Sequence, residues 1–164
     1  MKHILKQFTQ VEAHPAIQFI KYSIAGGVAT AVHISLFYSL ASTLFPALTA
    51  DDFIARLLHL PAADVSVALR ARNSMIDNVI AFIFSNMTAY ILNILWVFKR
   101  GRHHWLVEVG MFYAVSAVSI VIGTSLMGAL IRYYGLTTTV AFSANLFTAL
   151  LINFAMRKFV IFKG

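Results

Sequence analysis

Cysteine is absent from the chain, which excludes disulfides, thiol catalysis and thiolate metal sites together and leaves the redox compartment unread. Charge is the next scarcity: only 12% of residues carry it, and the stretches 22–50, 78–98, 109–131 and 133–156 contain no Asp, Glu, Lys or Arg. With every carboxylate outside those runs, no acidic group is expected inside a span to couple protons. No Gly-rich phosphate-binding loop is present, so no nucleotide-driven step is expected. His33 has no second His or carboxylate at ligand spacing, so neither a metal nor a cofactor is expected.

What the chain does have is apolar length. Sixty per cent of its 164 residues are hydrophobic and the mean hydropathy is +0.79, more apolar surface than one soluble core could hide. A helix rises about 1.5 Å per residue, so roughly 20 apolar residues cross about 30 Å of hydrocarbon, and each charge-free stretch suffices. The reading is an all-α integral membrane protein with four transmembrane helices in a single domain, 1–164. The spans are expected at about 20–45, 78–98, 108–131 and 138–160.

The formal charge of +7 would suggest nucleic acid as partner in a soluble chain. Here the bases flank the apolar spans, so no nucleic acid is expected. Lys2, Lys6 and Lys21 precede the first span, Lys99, Arg100 and Arg102 follow the second, and Arg157, Lys158 and Lys163 close the chain. On the opposite side Arg56, Arg70, Arg72 and Arg132 are offset by Asp51, Asp52, Asp64 and Asp77. Basic residues near span ends stay in the cytoplasm, which puts both termini and the central loop inside. The first 15 residues lack the hydrophobic core of a cleavable signal peptide, so the first span is expected to be retained.

The polar segment 46–77 is expected to form two short amphipathic helices against the outer leaflet, one from Asp51 to Leu60 and a second from Asp64 to Arg72. Asp51 and Asp52 read as a cap at the start of the first, rather than as a metal-holding pair. Small residues in span one (Ala25, Gly26, Gly27, Ala29) and span three (Ser119, Gly123, Thr124, Gly128) predict close helix packing. The end of span two, 90–99, aligns without a gap to 154–163, and 19–22 has an echo in 111–113. These likenesses predict two parallel two-helix repeats.

The order Phe19-x-Lys21-Tyr22-x-x-x-Gly26, then Asn93-x-x-Trp96-Val97-Phe98, then Asn153-Phe154-x-x-Arg157 leading to Phe162 resembles the GtrA-like family of small four-helix membrane proteins. The resemblance covers the chain apart from 46–77, which is longer than the family's usual connection. Ile94 stands where a basic residue often follows the family's Asn, and the aromatic before the final Val-Phe is displaced to Phe159. The resemblance implies a flippase that moves a polyprenyl-phosphate-linked sugar (undecaprenyl phosphate being one such carrier) across the bacterial cytoplasmic membrane for envelope glycosylation, not an enzyme.

The residues suit that task. A headgroup loses hydration on crossing, and each unsatisfied polar group costs several kcal/mol, so the route needs uncharged hydrogen-bonding side chains. Thr30, His33, Asn86, Asn93, Asn145 and Asn153 are the candidate sugar track, although amides between helices serve equally as interhelical glue. Lys21, Lys99, Arg100, Arg157 and Lys158 stand where a phosphate would rest, with the aromatics Tyr22, Trp96, Phe98 and Phe162 at the same level. Both sets also suit interface anchoring among membrane lipids. With no energy source visible, transport is expected to be passive, a single negative charge gaining roughly 2.3 kcal/mol per 100 mV on moving outward. Four helices are few to enclose a headgroup path, so a homodimer is expected. The alternatives are an accessory subunit that recruits or stabilises a membrane glycosyltransferase, and a small multidrug-type exporter, which would require an acidic residue in a span.

Overall fold

Where the helices start and stop follows from a few capping side chains. The computed structural model describes residues 7–11, 13–98 and 104–156. Its elements are α1 (Pro15–Ser42), α2 (Phe53–Leu57), α3 (Val67–Leu92) running into a π-helical turn (Asn93–Val97), α4 (Trp105–Tyr134) and α5 (Thr138–Met156). No strand occurs among the described residues. Pro15 opens α1 at the position where a missing N–H is no loss, and His14 Nδ1 accepts the Ala16 N–H at 3.3 Å. His104 repeats the device before α4, its Nδ1 accepting from Leu106 at 3.4 Å. Ser66 caps α3 by accepting the Leu69 N–H at 3.3 Å. Gly135, with φ of 64°, takes the left-handed conformation that ends α4.

The segments Pro15–Ser42, Val67–Val97 and Ser116–Tyr134 are each long and apolar enough to cross a bilayer. α5 adds a further, mostly apolar helix of 19 residues. Large apolar side chains such as Phe19, Ile24, Val121 and Phe147 lie exposed along these helices, while Asn78, Asn93 and Asn145 are buried. That inversion suits a protein solvated by acyl chains, and the chain is a multi-pass membrane protein.

The segment 46–77 departs from expectation. Only α2 forms as a separate short helix, with Ala55 buried and Phe53, Leu57 and Leu58 exposed. The second expected helix does not exist as such, because residues 67–72 are the first turns of α3. No Gly or Pro lies between Val67 and Leu92, so once Ser66 has capped the helix nothing stops its propagation. The consequence is chemical: Asp77 falls inside α3 and is fully buried, so a carboxylate does stand within an apolar span.

Two compact units emerge from the packing. One comprises the described parts of Met1–Ser35 and Ala81–Ala114, the other those of Leu36–Ile80 and Val115–Gly164. Each draws on both halves of the sequence. In the second unit Phe37 stacks on Phe142 with ring centroids 3.8 Å apart, and Tyr38 meets Phe142 edge-on at 5.7 Å. The small-residue stripes behave differently from one another. Gly123 and Gly128 of α4 are pressed against Asn145 and Met75, whereas a Cβ on Gly26 or Gly27 of α1 would meet nothing within 4 Å. Close packing is therefore found for the α4 stripe and not at Gly26 and Gly27.

Candidate functional site

In the first unit, Lys21 is completely buried on the inner face of α1. Its ammonium donates to the Gln10 carbonyl at 2.7 Å and lies 5.5 Å from the centroid of the Trp96 ring. A charge removed from water needs such partners, and a backbone carbonyl with an aromatic face supplies them. Trp96 has a second task, donating Nε1–H to the Phe8 carbonyl at 2.6 Å. Together the two side chains hold residues 7–11 in place. Trp96→Phe keeps an aromatic face but removes that bond, worth about 0.5–1.5 kcal/mol net. Amide exchange in residues 7–11, followed by mass spectrometry, is expected to rise by a few-fold and up to about tenfold.

Several other polar residues of this unit are buried as well. His33 Nδ1 lies 3.1 Å from Ser85 Oγ, and Asn86 on the next position of α3 is buried as well. Asn93 opens the π-helical turn, where Phe98 N–H reaches back to the Asn93 carbonyl at 2.7 Å. Single π turns inside α-helices recur at functional sites. The Asn93 side chain is buried, and among the described residues its Oδ1 has no hydrogen-bond partner. Nearby in sequence, Tyr90 donates to one oxygen of Glu108 at 3.2 Å, and the other oxygen is unpartnered. Thr30 is exposed and donates to Gly26 O of its own helix at 2.9 Å. Tyr22 and Phe98 have ring centroids 6.1 Å apart, with Phe98 exposed.

The second unit holds a closed network and an open one. Asn145 of α5 donates to Asn78 Oδ1 at 2.9 Å, and Asn78 donates to Thr124 Oγ1 of α4 at 2.7 Å. This amide chain ties three helices together, the glue role rather than an open track. One turn earlier on α3 the situation reverses. Arg70, Asn73, Ser74 and Asp77 are all nine-tenths or more buried. Yet among the described residues Arg70 Nε, Asn73 Oδ1, Ser74 Oγ and both Asp77 oxygens have no partner. Each such atom costs about 1–3 kcal/mol when no bond replaces its water.

These four residues, and Asn78 beside them, were not among the candidates read from the sequence. The signal was present: 70, 73, 74 and 77 are spaced i, i+3, i+4 and i+7, one face of a helix, but only if the helix starts before Asp77. Lys99, Arg100, Arg157, Lys158, Phe162 and the Asn153 side chain lie outside the described residues.

Asp52 also takes a different role from the one expected. It precedes α2 but makes no side-chain bond to it. Its two oxygens accept the Thr138 and Thr139 N–H groups, both at 2.9 Å, so it caps α5 instead. Asp51 is exposed. Among the described residues no group of three or more His, Cys, Asp or Glu could hold a metal ion.

Comparison with curated proteins and with solved structures gave no significant match. The family described as GtrA/DPMS, transmembrane domain, matches residues 21–162, nearly the whole chain. With its apolar helices and buried amides, the chain belongs to the GtrA/DPMS transmembrane-domain family, as a membrane protein of polyprenyl-sugar-related glycosylation.

Proposed function

We propose that the protein is a flippase for a polyprenyl-phosphate-linked sugar, acting across the bacterial cytoplasmic membrane with its basic helix ends on the cytoplasmic side. The observation that supports this most is the inward orientation of uncharged hydrogen-bonding side chains, Asn93 above all, in helices whose outer faces are apolar. A dehydrated sugar needs partners of that kind, and an acyl-facing amide would have none. A homodimer is part of the proposal, because four helices are few to enclose a headgroup.

The test is reconstitution. Vesicles containing the protein are expected to make an inner-leaflet polyprenyl-phosphate sugar accessible to an outside probe, and Asn93→Ala and Arg157→Ala to slow exposure by about tenfold, the effect of losing one to two kcal/mol of contact. Rates equal to those of empty vesicles, with co-purification of a glycosyltransferase, would leave the accessory-subunit reading in its place. The expectation of passive transport rested on there being no carboxylate in a span, and the buried Asp77 removes that premise. Rates compared with and without an imposed pH gradient decide whether a proton is coupled.

A further inference from the structure

We propose that the face of α3 bearing Arg70, Asn73, Ser74 and Asp77 is a binding site for the hydroxyl groups of the transported sugar. The inference rests on the translocation reading above and assigns its headgroup subsite. Seven residues of helix rise about 10.5 Å, so the stripe is as long as a sugar of one or two rings.

The two anchored members are held by the arm that is not on offer. Asn73 donates its Nδ2 to the Pro46 carbonyl at 2.9 Å and keeps Oδ1 open, and Arg70 gives Nη2 to the Gly135 carbonyl at 3.4 Å and keeps Nε open. Their rotamers are therefore set before a ligand arrives. Ser74 is mid-helix, where a hydroxyl ordinarily bonds back to a carbonyl of its own helix, and it makes no such bond. Asp77 offers two oxygens with no donor. Asn78, the next residue, is by contrast engaged with both Asn145 and Thr124.

The mixture of groups selects the ligand class. Three acceptor oxygens, one hydroxyl and one N–H donor match a row of sugar hydroxyls, each of which donates and accepts. A phosphate has only acceptors to offer and would leave the open oxygens of Asn73 and Asp77 without donors, so the carrier phosphate is not the occupant. A metal ion lacks ligands, since Asp77 is the one carboxylate on this face.

The experiment uses the full chain in lipid nanodiscs with a panel of citronellyl phosphates bearing single hexoses or pentoses, and with sugar-free citronellyl phosphate. At least one sugar-bearing probe is expected to bind the wild type more tightly than the sugar-free one and to raise its melting temperature. Asp77→Asn and Ser74→Ala are each expected to weaken that probe by tenfold or more while leaving citronellyl phosphate binding unchanged. Asp77→Asn preserves volume, and Ser74→Ala carries the same test should the former fail to fold. Equal weakening of both probes would mark the stripe as structural and overturn the inference. Undiminished binding of the sugar-bearing probe to both variants would overturn it too, while leaving the flippase reading intact. A wild type that binds no probe at all would remove both.

Discussion

Asp52→Ala is expected to destabilise the protein by about 3–4 kcal/mol, since it removes two charge-assisted hydrogen bonds worth roughly 1.5–3 kcal/mol each, less what water recovers. The carboxylate is completely buried at the start of α5, where the helix dipole favours a negative charge and the first N–H groups have no partner within the helix. The surroundings confirm how much converges there. Thr138 Oγ1 donates to the Ala47 carbonyl, and Tyr38 donates to Thr139 Oγ1 at 3.1 Å. Asp52→Asn keeps an acceptor but not the charge, and is expected to lose about half as much. The adjacent Asp51→Ala, at an exposed position, is expected to change stability by less than about 0.5 kcal/mol. Thermal unfolding of the three variants in one detergent checks the order. Similar losses for Asp51 and Asp52 would mean that the pair acts locally on α2 after all.

Gly123→Ala is expected to be nearly as damaging, at about 2–4 kcal/mol, because overpacking here also breaks a buried hydrogen bond. A Cβ on Gly123 would overlap Asn145 Oδ1 and approach its Cγ to 3.2 Å. The amide has no room to swing, since its Nδ2 is committed to Asn78 Oδ1 and Asn78 in turn to Thr124. Gly128→Ala makes a useful contrast. Its Cβ would meet the Met75 side chain, whose Cγ lies 3.0 Å away and whose thioether is flexible enough to move, so about 1 kcal/mol is expected. Gly26→Ala and Gly27→Ala meet nothing within 4 Å and should gain roughly 0.5–1 kcal/mol of helix propensity. Unfolding midpoints in that order would show that α4, rather than α1, carries the intimate helix contact. A Gly123→Ala protein as stable as Gly26→Ala would show that Asn145 is free to repack.

Several features of the site could be read without coordinates. His33, Asn93 and Asn145 stand in charge-free runs, and their polarity alone predicts that they turn away from lipid, as they do. Which of them remain open could not be read, because it depends on what lies opposite. Asn145 finds Asn78 and is closed, while Asn93 keeps a free acceptor in a π-helical turn that its residue types do not announce. Lys21 shows the same limit from the other direction. A lysine at the start of an apolar run reads as an interface charge, and its partners Gln10 and Trp96 could not be named from the residues alone.

The sequence by itself determined that this is a helical membrane protein, because hydropathy and the distance across a bilayer are properties of consecutive residues. It also determined the family, through aromatic, amide and basic residues in a fixed order along the spans. Only the tertiary structure decided that Asp52 caps α5 from 86 residues away and that α3 begins early enough to bury Asp77. It alone decided too that Arg70, Asn73 and Ser74 line up with Asp77 as an unpaired polar face. The reason is physical: a span is chosen by the average of its neighbours along the chain, whereas a hydrogen bond is chosen by the single group that folding sets opposite.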